Sequence, residues 1–281
     1  MDTRFWGPSG WKLIHLIAAD TADASKARRR AIYEWFHLLE YILPCKYCRA
    51  SFHDYIRLQP LTLAIVADTE AFGRWAYDIH NRVNAKLRGQ GLLTATDPDW
   101  PTVRDLYRAE HRGLCNGEAL LGWDFMVSVA YTTPGADYEA VPMPDAPEPA
   151  TEWARLDSAK RNRYNLLTRS ERLPYLERWW RLLPAILPCA QWRRAWTLAA
   201  RDEDLPLANG REAVLRWMWR VEAAVCRGLR CPAPHSCVGA MKREAAAFES
   251  GCSTARRGKT CRRAKRRAVR TRRARKGVVV L

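Results

Sequence analysis

The apolar positions of this chain recur at three- and four-residue steps over most of its length, the spacing of one face of an α-helix. Ile32, Trp35, Phe36, Leu38, Leu39 and Ile42 form one such stripe. They predict a helix over 26–43 whose first turns are basic at Lys26, Arg28, Arg29 and Arg30. Phe72, Trp75, Ile79, Val83 and Leu87 form a second stripe and predict a helix over 69–87. Near the start, Gly7 and Pro8 predict a turn with Ser9 as N-cap, after which Trp11, Ile14, His15 and Ala18 share a face. Between the two long stripes, Pro44 predicts a helix start and Gln59-Pro60 its end. The fold class expected is all-α, with four or five helices in its first bundle.

The short helix after Pro44 carries Cys45 and Cys48 one turn apart, followed by Arg49. A thiol at a helix N-terminus meets the positive end of the macrodipole, and Lys46 and Arg49 add charge of the same sign. Both favour thiolate. Half of a zinc site would need a second Cys-X-X-Cys, and the later cysteines at 226, 231, 237, 252 and 261 supply none. A thioredoxin-like setting would need strands beside the motif, and the preceding segment has helical spacing. What remains is a redox dithiol inside a helical bundle. No metal site is expected from these spacings.

Two further groups carry chemistry. Trp11 and His15 project together from one helical turn, either as a core stripe with one satisfied histidine or as the wall of a site. In His80-Asn81-Arg82-Val83-Asn84-Ala85-Lys86-Leu87, an imidazole, two amides and an ammonium fall within seven residues. They suit a ligand that carries phosphates and a base, or else a solvated polar face.

Composition sharpens this. A chain of 281 residues, 48% hydrophobic, can bury a real core and hold two domains. No run of about 18 apolar residues is present to span a membrane. Met-Asp-Thr-Arg-Phe-Trp lacks the layout of a secretion signal, so a cytoplasmic protein is expected, with nuclear placement open through its basic tail. Nine cysteines in that setting point to catalytic, metal-binding or redox-coupled thiols. Of the formal charge of +17, thirteen Lys and Arg fall between 256 and 276, and the rest of the chain carries only +4.

The motifs Trp6-Gly-Pro-Ser-Gly-Trp11-X-X-X-His15, Cys45-X-X-Cys48 and His80-Asn81-X-Val83-Asn84-X-Lys86-Leu87, in this order, resemble the Erv/ALR family of FAD-linked sulfhydryl oxidases. The resemblance runs from Trp6 to about Trp100. It implies a compact helical bundle that holds FAD at one end, usually as a dimer. It implies that Trp11 and His15 line the flavin pocket, that His80 and Asn84 flank adenine and ribose, that Lys86 lies near the phosphates, and that Asn81, Val83 and Leu87 also contact the cofactor. Trp100 would close over the adenine, with Arg4 and Tyr47 as looser candidates for pocket lining. Cys45 would exchange with protein thiol substrates and Cys48 would face the flavin. Electrons would pass from the dithiol through FAD to O₂, giving hydrogen peroxide. The architecture is similar to family members of large DNA viruses, which implies host cytoplasm or the virion as its place. One departure stands out: many members have a bridged cysteine three residues before His-Asn, and here that position is Tyr77.

Four regions are expected: an oxidase domain over 1–112, a Pro-rich linker over 113–150, a second helical bundle over 151–250 and a disordered basic tail over 251–281. Leu176 to Trp196 aligns without gaps on Ile32 to Phe52, with Trp35/Trp179, Leu39/Leu183, Pro44/Pro188, Cys45/Cys189 and Arg49/Arg193 identical. The chemistry is lost in this copy: Cys48 becomes Trp192, His80 becomes Glu222 and Asn84 becomes Cys226. A degenerate oxidase bundle is expected, standing in for the second subunit of a dimer; a homodimer is the other arrangement. Cys226, Cys231, His235 and Cys237 fit no common zinc spacing. The tail suits contact with nucleic-acid phosphates. A non-enzymatic nucleic-acid-binding or virion packaging protein on an oxidase-like scaffold is the alternative function.

Overall fold

The computed structural model of the chain describes residues 1–115, 121–201 and 204–248. Among the described residues the regular structure is helical throughout, as the apolar spacing predicts. The basic tail, and with it the expected nucleic-acid contact, lies outside the described residues. No described helix is long and apolar enough to cross a membrane.

The first half comprises α1 (Thr3–Ala18), α2 (Lys26–Ile42), α3 (Lys46–Leu58), the short α4 (Leu63–Ala67), α5 (Thr69–Gly89) and α6 (Trp100–Leu114). Ser25 caps α2 by accepting from the Arg28 amide, and Asp68 caps α5 by accepting from Glu70 and Ala71. The start of α1 differs from expectation. Asp2, not Ser9, is the N-cap, and Pro8 lies inside the helix. Burial of Phe5 and Trp6 on the core side of that extra turn offsets the hydrogen bond that Pro8 cannot donate.

The second half comprises α7 (Trp123–Tyr131), α8 (Ser158–Arg163), α9 (Arg169–Ile186), α10 (Ala190–Ala200), α11 (Gly210–Gly228) and α12 (Val238–Ala247). The segment read as a plain linker, 113–150, contains α7, whose residues from Phe125 to Ala130 are all buried. Its start needs a glycine: Gly122 has φ +99°, and a Cβ there would stand 3.0 Å from Leu13 Cδ2.

The two halves repeat one packing scheme. In the first, α2 packs on α3, and α1, α5 and α6 pack on one another. In the second, α9 packs on α10, and α7, α11 and α12 pack on one another. Across the junction two elements meet their counterparts, α2 against α9 and α1 against α7. Trp35 and its counterpart Trp179 are fully buried there and stack at 5.3 Å. A single hydrophobic core runs through both halves. Arg178 closes the rim with bonds of 2.5 and 2.6 Å to Glu34, and a disulfide joins Cys115 at the end of α6 to Cys189 at the start of α10.

Candidate active site

Cys45 is the N-cap of α3, in extended conformation, and its carbonyl accepts from the amides of Cys48 and Arg49. That geometry follows from Leu43-Pro44, which turns the chain sharply between α2 and α3. Arg49 is buried and fixes the turn, donating to the Leu43 carbonyl at 2.9 Å and to Asn165 Oδ1, from the second half, at 2.6 Å. Cys45 is buried and Cys48 partly buried, and both stand as thiols.

The two sulfurs differ in acidity. Burial pushes the Cys45 thiol up, but the hydrogen bond from Cys48 and nearby positive charge, Arg49 included, outweigh it and bring it down to about 6. Cys48 is driven the other way, first by that hydrogen bond with Cys45 and then by burial, while Lys86 works to lower it. The reduced pair therefore carries its negative charge on Cys45 and its remaining proton on Cys48.

Both sulfurs open on a cavity of about 310 Å³ between α1, α3 and α5. Of the residues expected at the site, Trp11, Cys45, Tyr47, Cys48, His80, Val83, Asn84, Lys86 and Leu87 line it, as does Arg4. The Trp11 and His80 rings stack at 4.0 Å, 9° from parallel, and form a flat wall. His15 does not reach the cavity surface. It lies directly behind, its Nε2 3.1 Å from His80 Nδ1, with Tyr107 of α6 stacked on its other face at 4.4 Å. Burial lowers both histidines, His80 to about 4, so the wall is uncharged near neutral pH. At the opposite end Lys86 Nζ donates to Ser51 Oγ at 2.5 Å, and Asn84 donates to Asp97 at 2.9 Å.

Besides His15, two expected residues lie off the cavity. Asn81 is on α5 but not among the lining residues. Trp100 starts α6 on the far side of α5, where its ring covers Gly73 so closely that a Cβ there would stand 2.9 Å from it. It is held by an indole bond to Glu70 and by Tyr77, whose ring centre is 5.5 Å away. Tyr77 also donates to the Pro98 carbonyl at 2.8 Å. A tyrosine thus ties the 91–99 segment to α5.

Sequence reasoning missed Phe125, which enters the cavity from α7, and Gly10, which admits it; a Cβ at Gly10 would stand 3.2 Å from the Phe125 ring. The apolar run 123–131 was the available signal. The residues present fit a large, flat, partly polar group. One wall is aromatic and uncharged, the far end offers an ammonium and an amide, and Trp6 Nε1 is a buried donor at the lining with no hydrogen-bond partner.

An all-helical bundle that places a Cys-X-X-Cys dithiol at the mouth of such a cavity defines the class: a helical dithiol redox site with room beside it for a flat group. The chain belongs to the Erv1/Alr family, whose model matches residues 8–101. It is 38% identical over 106 residues to an FAD-linked sulfhydryl oxidase of African swine fever virus, covering 36% of this chain and 79% of that protein. It is 32% identical over 95 residues to a probable FAD-linked sulfhydryl oxidase of Acanthamoeba polyphaga mimivirus, covering 34% of this chain and 66% of the relative. The mitochondrial FAD-linked sulfhydryl oxidase of Saccharomyces cerevisiae is 33% identical over 88 residues, 31% of this chain and 45% of that protein. No solved structure matches the chain.

Proposed function

We propose that this protein is an FAD-dependent thiol oxidase that forms disulfide bonds in protein substrates. The observation that carries the reading is the continuity of Cys48, Trp11 and His80 around one cavity. Tyr47, Val83 and Leu87 supply apolar contact, and Asn84 and Lys86 supply polar contact to the nucleotide part of the cofactor. When bound, FAD accepts the two electrons of the dithiol and passes them to O₂, giving hydrogen peroxide.

The chain's own residues set the order of steps. A substrate thiolate attacks Cys45 of the oxidised pair, the S–S bond breaks, and Cys48 leaves as thiolate. With Cys45 tied up in the mixed disulfide, its charge no longer opposes ionisation of Cys48, and Lys86 favours it. A second substrate thiolate then displaces Cys45. The positive charge of Arg49 favours Cys45 as the leaving thiolate in this step. The neutral His15–His80 pair holds the wall without bringing charge to it.

The second half, in this reading, is a degenerate copy that takes no cofactor and serves as an internal dimer partner. Its contribution to the site is Phe125 on the lining and Asn165 on Arg49. Purified full-length protein should be yellow and consume oxygen with dithiothreitol. Cys48→Ser should stay yellow and lose turnover; undiminished dithiol oxidation by that variant would refute the role of Cys48. A colourless preparation would favour the non-enzymatic scaffold instead.

A further inference from the structure

We infer that Cys115 and Cys189, when reduced, bind one zinc ion together with His111, with water as the fourth ligand. The three side chains come from two places in the fold. His111 lies in the last turn of α6, Cys115 caps that helix, and Cys189 caps the start of α10. The ligand atoms of His111, Cys115 and Cys189 lie within 4.8 Å of one another. His111 Nε2 is 3.0 Å from Asp20 Oδ1 and 3.4 Å from Cys115 Sγ.

The spacing of His111 and Cys115 is close to that of ligands around one ion. On a tetrahedral zinc, nitrogen and sulfur stand about 3.6 Å apart. The sulfurs must part to about 3.8 Å once their bond is broken, and His111 Nε2 must turn from Asp20 to the ion. Thiolate and imidazole together select zinc over the harder divalent ions. Asp20 stays beside the site as an outer carboxylate, its Oδ2 held by Arg28 and Arg193 at 2.6 and 3.2 Å.

Charge is conserved between the two states. A disulfide is neutral, and so are two thiolates on Zn²⁺, so the two arginines serve both. The step balances as follows: a dithiol reductant gives two electrons and two protons to the Cys115–Cys189 bond, becoming a disulfide itself. Zinc then displaces the two protons from the resulting thiols. Either closure, S–S or zinc, fastens α6 of the first half to α10 of the second. The junction would hold in oxidising and in reducing surroundings. This site is separate from the Cys45–Cys48 dithiol and does not depend on its chemistry.

The test uses the full chain, reduced with a phosphine, loaded with zinc, desalted and analysed for metal. Wild type should hold one zinc more than Cys115→Ser, and the oxidised wild type should match that variant. Because loss of the staple could unfold Cys115→Ser, His111→Ala is the second variant, with both sulfurs in place. With cobalt(II) as probe, wild type should show a sulfur-to-cobalt charge-transfer band and tetrahedral d–d absorption. His111→Ala should weaken cobalt binding ~100-fold and shift the d–d bands. Equal zinc in reduced wild type and Cys115→Ser would overturn the proposal, and so would an unchanged cobalt spectrum and affinity in His111→Ala.

Discussion

The two halves share a frame and differ in what lies between its helices. In the first, α3 and α5 stand apart, with the cavity between them, and Lys86 reaches across to Ser51. In the second, α10 packs along α11, and the positions matching Lys86 and Ser51 are Gly228 and Ala195, where a Cβ on the glycine would touch the alanine at 3.8 Å. Trp192, fully buried, stands where the first half has Cys48. Glu222 replaces His80, and instead of meeting a second ring in the α1 position it accepts from the backbone and ring of His235. The lesson is that a redox site of this kind is a gap maintained in a bundle. Small residues and one large indole close the gap while the outer packing is untouched.

The sharpest way to break this comparison is to treat equivalent cysteines alike. Cys45→Ala should cut dithiol-dependent oxygen uptake on the order of a thousandfold or more, as loss of a covalent participant does. Cys189→Ala, at the matching helix start, should leave uptake per folded molecule unchanged. It should instead lower stability by about 4 kcal/mol in denaturant titration, since it opens a bridge between positions 74 residues apart. Uptake lost equally in both variants would mean that the halves are not specialised as described.

The shared frame is tested next. Trp35→Ala removes one of the two stacked indoles at the junction and should cost about 3–5 kcal/mol. Calorimetry should show both halves melting together at the lower temperature, because one core serves them. Two separate transitions would show that the halves fold independently.

The smallest effect expected is pH dependence at the cavity wall. Burial lowers His80 to about 4. Between its ordinary value near 6.5 and about 4, the unfolded chain therefore binds a proton that the folded chain refuses. The stability contributed by neutral His80 is fully present above about 6.5 and is lost as the pH falls through that window, on the order of 3 kcal/mol in all. His80→Gln should flatten this part of the stability curve. An unchanged acid limb would mean that His80 is not held neutral.

Much of this was legible in the residues. The stripes of α2 and α5 set those helices within about two residues, because each has one buried and one wet face. Cys45, Cys48, His80, Asn84 and Lys86 were found by spacing, and they share one cavity. Trp35 and Trp179, aligned by the residues around them, meet at the junction of the halves. Helix α7 was not legible, because it is buried between α1 and α11 and is apolar on most sides, which leaves no clear stripe to read. Phe125 went with it. The early start of α1 was hidden by Pro8, which normally forbids a helix interior. The pairing of Cys115 with Cys189 depends on the docking of the halves, which no spacing encodes.

The most direct measurement is the ratio of FAD to polypeptide in the purified full-length protein, from flavin absorbance against amino-acid analysis. One cavity in the first half and a closed frame in the second predict one FAD per chain. Two per chain would contradict the account of the second half, and none would contradict the account of the first.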